Sequence, residues 1–287
     1  MREENLPRQA KGKGATDMQC FSYFLRNTHL NPAVVFTFLC ILVLVLGLVK
    51  LWRKCTGAKL WSFLAGAIVF AVFALGLENL LHQVCLLGDS PLSRAILGSP
   101  LLYTLYGSLS AGVFEETGRL CGFRLLLREE REWPCSVACG IGHGGCEAIA
   151  LVAVPYLMMI LVQLHVLGWS SSIAEIMHTA VRLRWSTALI AVLERCSAMM
   201  IHIGLSMLVF TAAWQKGKLW HYPAAIALHA LADVPAALYQ FGTLPYLAAV
   251  EICAFVWGAL CLVLGILALR RYDRRERVNQ GPELEIY

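Results

Sequence analysis

Apolar residues run through this chain in long blocks, broken by short polar or charged connections rather than by the alternation of half-buried strands. Seven segments, 32–52, 60–83, 101–127, 135–165, 186–214, 221–240 and 245–269, approach or exceed the about 20 residues that a helix needs to cross a hydrocarbon layer about 30 Å thick. The expected fold is therefore all-α, a polytopic membrane helical bundle of about seven transmembrane helices. Pro32 opens the first span, Pro155 should kink the fourth, and Pro223 and Pro245 sit near the starts of the last two. Residues 1–31 read as a flexible polar arm, 32–270 as the transmembrane domain and 271–287 as a charged tail. The first apolar run lacks a small-residue cleavage signature, so it reads as a retained anchor.

Composition supports that reading: of 287 residues 58% are hydrophobic and 15% charged, and the mean hydropathy is +0.63, which excludes a disordered, fibrous or ordinary cytosolic chain. The net charge of +5 is too mild for a nucleic-acid footprint, and its cations are explained by topology. Lys50, Arg53, Lys54, Lys59, Arg124, Arg128, Arg131, Lys216, Lys218 and the arginines from Arg270 to Arg277 flank one side of the spans. Lys13, Arg26, Arg94, Arg182 and Arg184 are the smaller set on the other. Cations are retained in the cytoplasm, so a cell-membrane protein with its amino terminus outside and its carboxyl terminus cytoplasmic is expected. Eleven cysteines without a C-x-x-C pair indicate neither a disulfide framework nor a thiolate zinc site. Most read as small core residues, and a soft-metal reading is open only at Cys135, Cys139, His143 and Cys146.

The spans also contain Glu78, His82, Glu115, Glu116, Arg119, His143, Glu147, Glu194, Arg195, His202, His229, Asp233 and Glu251. A lipid-facing charge at mid-membrane costs roughly 2.5 to 3.5 kcal/mol, so these groups should turn inward, pair or line a hydrated cavity. At about 1.5 Å per residue, Glu115 and Glu116 lie about 12 to 14 Å inside the cytoplasmic boundary, His143 at about 12 Å, His202 near 15 Å, and His229 and Asp233 at about 12 and 18 Å. Four successive helices thus present acids and imidazoles at one level. Glu115 with Arg119, His143 with Glu147, and His229 with Asp233 are spaced i,i+4, and Glu116 with Arg119 i,i+3, so each pair shares a helix face. Gly142, Gly144 and Gly145 leave the backbone bare beside His143, for a neighbouring helix or a peptide substrate.

The runs Phe114-Glu115-Glu116-Thr117-Gly118-Arg119, Gly140-Ile141-Gly142-His143-Gly144-Gly145-Cys146-Glu147-Ala148, Glu194 to His202 and Leu228 to Gln240 resemble the YhfC family of bacterial membrane proteins, related to CPBP-type intramembrane proteases. That resemblance covers about residues 60 to 245. It implies peptide-bond hydrolysis inside the membrane by an EExxxR motif, Glu115, Glu116 and Arg119, with His143, His229 and Asp233. Where this chain has Asp233, the related prenyl-protein processing enzymes have Asn, and an ionised carboxylate suits a metal site better than oxyanion stabilisation. His202 belongs to the YhfC-like pattern and is read, with Glu147, Glu194 and Arg195, as supporting.

The expected function is an intramembrane endopeptidase acting on a membrane protein or peptide. In one version Glu115 activates a water held also by His143, His229 donates to the oxyanion, and Glu116 and Arg119 orient. In the other Zn²⁺ lies among His143, His229 and Glu115. A H-E-x-x-H helix, the strong zinc signal, is absent from the sequence, and both versions stay open. Each residue also has a bland reading: the EExxxR group as an ion pair stitching helices, the histidines as satisfied core imidazoles, Glu194 with Arg195 as a structural pair, and Glu78, His82 and Glu251 as packing or lining groups. A proton-coupled transporter or channel and a non-enzymatic membrane scaffold are the alternatives. Beyond the bilayer and a membrane substrate no partner is implied, and no oligomeric state is read from these residues.

Overall fold

The computed structural model describes residues 29–167 and 170–280; the arm's residues 1–28 and the tail's 281–287 lie outside the described residues. The described residues are helical, with no strand among them. In chain order the helices are α1 (Pro32–Thr56), α2 (Leu60–Cys85), α3 (Pro91–Leu97), α4 (Pro100–Cys121), α5 (Pro134–Gln163), α6 (Ser171–Arg182), α7 (Trp185–Trp214), α8 (His221–Gln240) and α9 (Leu247–Gln280).

Five of these, α1, α2, α5, α7 and α9 as far as Arg270, are long and apolar enough to cross a membrane. The remaining two expected spans, α4 and α8, form helices of 22 and 20 residues but fall outside that set. They carry the EExxxR group and the His229–Asp233 pair, which dilute their apolar character. The short helices α3 and α6 fall in connections that the apolar pattern leaves unassigned; Ser90 caps α3 and Ser170 caps α6 through their side chains.

The faces of α1 explain why a membrane is needed. Val34, Ile41 and Val45 are buried against the bundle, while Leu39, Val43 and Leu46 form an exposed apolar stripe at i, i+4, i+7. A helix apolar on both its packed and its outer face suits lipid rather than water. Asn31 caps α1 by accepting from the Ala33 N–H, and its amide donates to the Ala180 and Leu183 carbonyls at 2.8 and 3.0 Å, which ties α1 to the end of α6. Outside the spans, Lys59 donates to Glu130 at 2.6 Å, and that bond holds the ammonium above its ordinary range.

Helix α7 is the centre of the bundle, buried almost continuously from Gly204 to Ala212 and packed most extensively on α9 and α5. Close approach is set by glycines. A Cβ on Gly142 of α5 would overlap the Phe63 carbonyl of α2, one on Gly66 would overlap the Cys139 carbonyl, and one on Gly204 the backbone at Cys261. Gly112 of α4 lies in the same way against the Ile226 carbonyl of α8. The bare backbone expected around His143 is therefore filled by neighbours: Phe63 at Gly142, the His202 ring at Gly144 and Val45 at Gly145. The structure leaves no room there for a peptide.

Three π-helical turns interrupt the regular helices, at Phe73–Glu78 in α2, Gly122–Leu126 after α4 and Ile149–Ala153 in α5. The third ends just before Pro155, and α5 continues past that proline to Gln163. Pro235, inside α8, removes one helical hydrogen bond next to Asp233.

Candidate metal and catalytic centre

Helix α4 carries Glu115, Glu116 and Arg119 on the face it packs against α8 and α7, so the three charges are withdrawn from lipid. Glu116, Arg119 and His143 are completely buried, and Glu115, His202 and His229 nearly so. Burial of this kind is tolerable only where the groups satisfy one another.

They do so around one oxygen. Glu115 Oε2 lies 2.8 Å from His143 Nε2 on α5, 3.8 Å from His229 Nε2 on α8, 3.9 Å from His202 Nδ1 on α7 and 3.6 Å from Arg119 Nη2. Glu116 pairs with Arg119 through its Oε1, which also accepts from His229 Nδ1 at 2.6 Å. Arg119 Nη2 is 2.5 Å from His202 Nδ1, and the opposite nitrogen of that ring is bonded to Glu147. Glu147 in turn accepts from Arg195 at 2.7 Å, and Arg195 is paired with Glu194. Asp233 Oδ2 stands 3.6 Å from His229 Nε2 at the more exposed edge of the cluster.

The i,i+4 pair His143–Glu147 is not the one that forms. His143 reaches across to Glu115, and Glu147 turns to His202 and Arg195 on α7. Glu194 and Arg195 form a pair, and through Glu147 that pair reaches the imidazole of His202. His202, expected as a supporting residue, lies within the cluster itself, its ring 5.0 Å from that of His143 and 5.8 Å from that of His229. The signal that could have placed it was already in the sequence, since its depth matches that of the other imidazoles.

The donor set suits a divalent cation. Ligand atoms of Glu115, His143 and His202 all lie within 4.8 Å of one another, and the three residues are buried. Two imidazole nitrogens and a carboxylate oxygen match zinc preference, and the far nitrogens of His202 and His229 are held by Glu147 and Glu116, the carboxylate–histidine arrangement that fixes metal ligands. Among the described residues His143 Nδ1 has no hydrogen-bond partner. Cys135 and Cys139 pack in the apolar core with Phe63 and Leu205 and do not join the set, so the soft-metal reading at these thiols finds no support.

A cavity of about 650 Å³ begins at Glu115, Glu147 and Asp233 and reaches the exposed helix end at Gln240, where Tyr103 donates to the Gln240 amide oxygen at 3.3 Å. Its wall adds Glu78, His82, Tyr106 and Ser108, of which the sequence reading singled out only the first two, as lining groups.

Residues 39–254 match the family described as YhfC intramembrane metalloprotease. Over 246 residues the chain is 34% identical to a Bacillus subtilis (strain 168) protein described as an uncharacterized membrane protein YhfC, a match that covers 80% of this chain and 93% of the relative. No solved structure matches the chain.

Proposed function

The chain belongs to the YhfC family, and on that premise we propose that this membrane protein is an intramembrane endopeptidase whose reaction centre is built on Glu115. The observation that carries the reading is the convergence of His143, His202 and His229 on Glu115 Oε2, at the inner end of a cavity large enough for a segment of peptide.

Glu115, His143 and His202 would hold Zn²⁺, with His229 Nε2 facing the same oxygen. Zinc bound there supplies Lewis acidity toward an amide carbonyl and toward water. The remaining chemistry belongs to the chain. Glu115, through the carboxylate oxygen not offered to the metal, would accept a proton from the attacking water. Glu116 fixes the His229 ring through Nδ1, which aims Nε2 at Glu115 and Asp233, where it can donate to the developing oxyanion or to the leaving amine. Arg119 compensates both carboxylates and is the positioning residue for Glu116. The His202 Nδ1 lone pair faces Arg119, so ligation by His202 requires that guanidinium to turn toward the glutamates. Glu147, with Arg195 and Glu194 behind it, orients His202.

The substrate is a membrane protein or peptide. In this reading α4 and α8 complete seven crossings within 32–270, flanked by the arm 1–31 and the tail 271–287. The chain lies in the cell membrane with its amino terminus outside and its carboxyl terminus cytoplasmic, as the cation distribution supports. The deciding experiment is metal analysis of the protein purified in detergent, beside cleavage of a candidate membrane substrate by wild type and by Glu115→Gln. Bound zinc with cleavage abolished in the variant supports the reading. Cleavage unaffected by Glu115→Gln, or transport driven by a proton gradient without cleavage, overturns it.

A further inference from the structure

The wall of the cavity away from Glu115 carries chemistry that the hydrolytic reading does not use. Glu78 is the last residue of the π-helical turn Phe73–Glu78, a local widening that re-aims a side chain and recurs at functional sites. Its Oε1 accepts from Ser110 at 3.0 Å and lies 3.4 Å from His82 Nε2, and His82 Nδ1 is 2.8 Å from the Tyr106 hydroxyl. Among the described residues every hydrogen bond or ion pair of Glu78 falls on Oε1, which leaves Oε2 for a ligand.

The charge balance of the chamber is one-sided. Glu78, Glu115, Glu147 and Asp233 line it, and no Lys or Arg is among the described residues that do. Glu115 and Glu147 have arginines behind them and Asp233 faces His229, but Glu78 has only a hydroxyl and a half-exposed imidazole. A second observation is independent of the acids. Ser108, 2% exposed, lines the same chamber, and among the described residues its buried Oγ has no hydrogen-bond partner. Buried hydroxyls are normally satisfied, so an unpaired one beside a cavity marks a place where an entering polar group could supply the partner.

We propose that this chamber is a specificity subsite that takes a cationic group of an apolar peptide, a Lys or Arg side chain or a free amine, seated against Glu78 beside Ser108. Glu78 is then the specificity-determining residue, and Ser110, His82 and Tyr106 hold its carboxylate in place. The inference rests on the endopeptidase reading for the peptide nature of the ligand. It accounts for a carboxylate without an arginine in an apolar bundle, because the compensating charge arrives with the substrate.

The test uses the full chain in a neutral detergent and two fluorescent leucine-rich peptides that differ only in acetylation of one lysine. Wild type should bind the free-lysine peptide roughly tenfold or more tightly, the scale of one charge-assisted hydrogen bond in a shielded site. Glu78→Gln keeps the acceptor for Ser110 while removing the charge, so a merely structural role would leave the discrimination intact; here it should vanish. On wild type alone, the free-lysine peptide should protect Glu78 from a hydrophobic carbodiimide, and the acetylated peptide should not. Equal affinities on wild type, discrimination that persists in Glu78→Gln, or equal protection by both peptides overturns the proposal. Cleavage products are read from the same mixtures. Discrimination without product under zinc-replete conditions would defeat the endopeptidase reading and leave the cationic subsite standing, and product with no discrimination would do the reverse.

Discussion

His143 Nε2 lies 2.8 Å from Glu115 Oε2, a bond that joins α5 to α4 between two buried side chains. Gly142 sets α5 against α2 and Gly112 sets α4 against α8, and the two side chains span the remaining distance between α4 and α5. The next groups around the same oxygen are Arg119, His229 and His202, which makes Glu115 the hub of the cluster.

Replacing Glu115 by Gln keeps the volume and removes the charge. Far-ultraviolet circular dichroism should be unchanged, while cleavage of a membrane substrate should fall by about a hundredfold or more, the loss expected for a general base. Zinc content, measured by mass spectrometry of the purified protein, should fall with it. A variant that still holds zinc and still cleaves would remove Glu115 from the centre.

Glu147→Gln tests the arrangement behind His202. The carboxylate touches both His202 and Arg195, so its loss frees the imidazole and leaves Arg195 with Glu194 alone. Zinc affinity, read by competition with a fluorescent chelator, should weaken by about 10- to 100-fold, as for other carboxylates behind metal-binding histidines. Glu194→Gln should weaken it far less, because among the described residues the hydrogen bonds and ion pair of Glu194 go to Arg195 alone.

Arg119→Met should destabilise the bundle by roughly 3 to 5 kcal/mol, because it leaves the completely buried Glu116 without its cation. Arg119→Lys should recover only part of that loss. One ammonium cannot reproduce a guanidinium fork that meets Glu116 with one nitrogen and His202 with another. Thermal unfolding in detergent reports both values, and a stable Arg119→Met protein would mean that Glu116 is compensated elsewhere.

The same residues mark what could be read from the chain alone. Apolar runs of membrane length located the helices, since the need to satisfy every backbone group in lipid leaves little alternative to a helix. Counting residues from the cationic boundaries put Glu115, His143, His202 and His229 at one depth, and in the fold they lie side by side. Helical spacing fails where partners on different helices compete: it pairs His143 with Glu147, whereas the fold gives His143 to Glu115 across from α4 and Glu147 to His202 across the extensive α5–α7 contact. The chamber beyond Glu115 was illegible for the same reason. Tyr106 and Ser108 are unremarkable in sequence and become cavity wall through the way α4 packs beside the π-helical turn that ends at Glu78.

Gly142→Ala is the sharpest test of the packing that holds the site. An added Cβ would meet the Phe63 carbonyl of α2, a backbone atom that cannot rotate away, so α2 and α5 must separate. Overpacking of this kind costs about 1 to 3 kcal/mol or more. Because His143 is the next residue, the displacement should also lengthen its bond to Glu115 and lower zinc affinity along with thermal stability. Gly47→Ala in α1 is the matched comparison: nothing lies within 4 Å of its added Cβ, and a helical Gly→Ala change there should be neutral or stabilise by up to about 1 kcal/mol. Equal melting temperatures for the two variants would show that the α2–α5 contact is looser than its glycines require, and the precise placement of His143 would then need another cause.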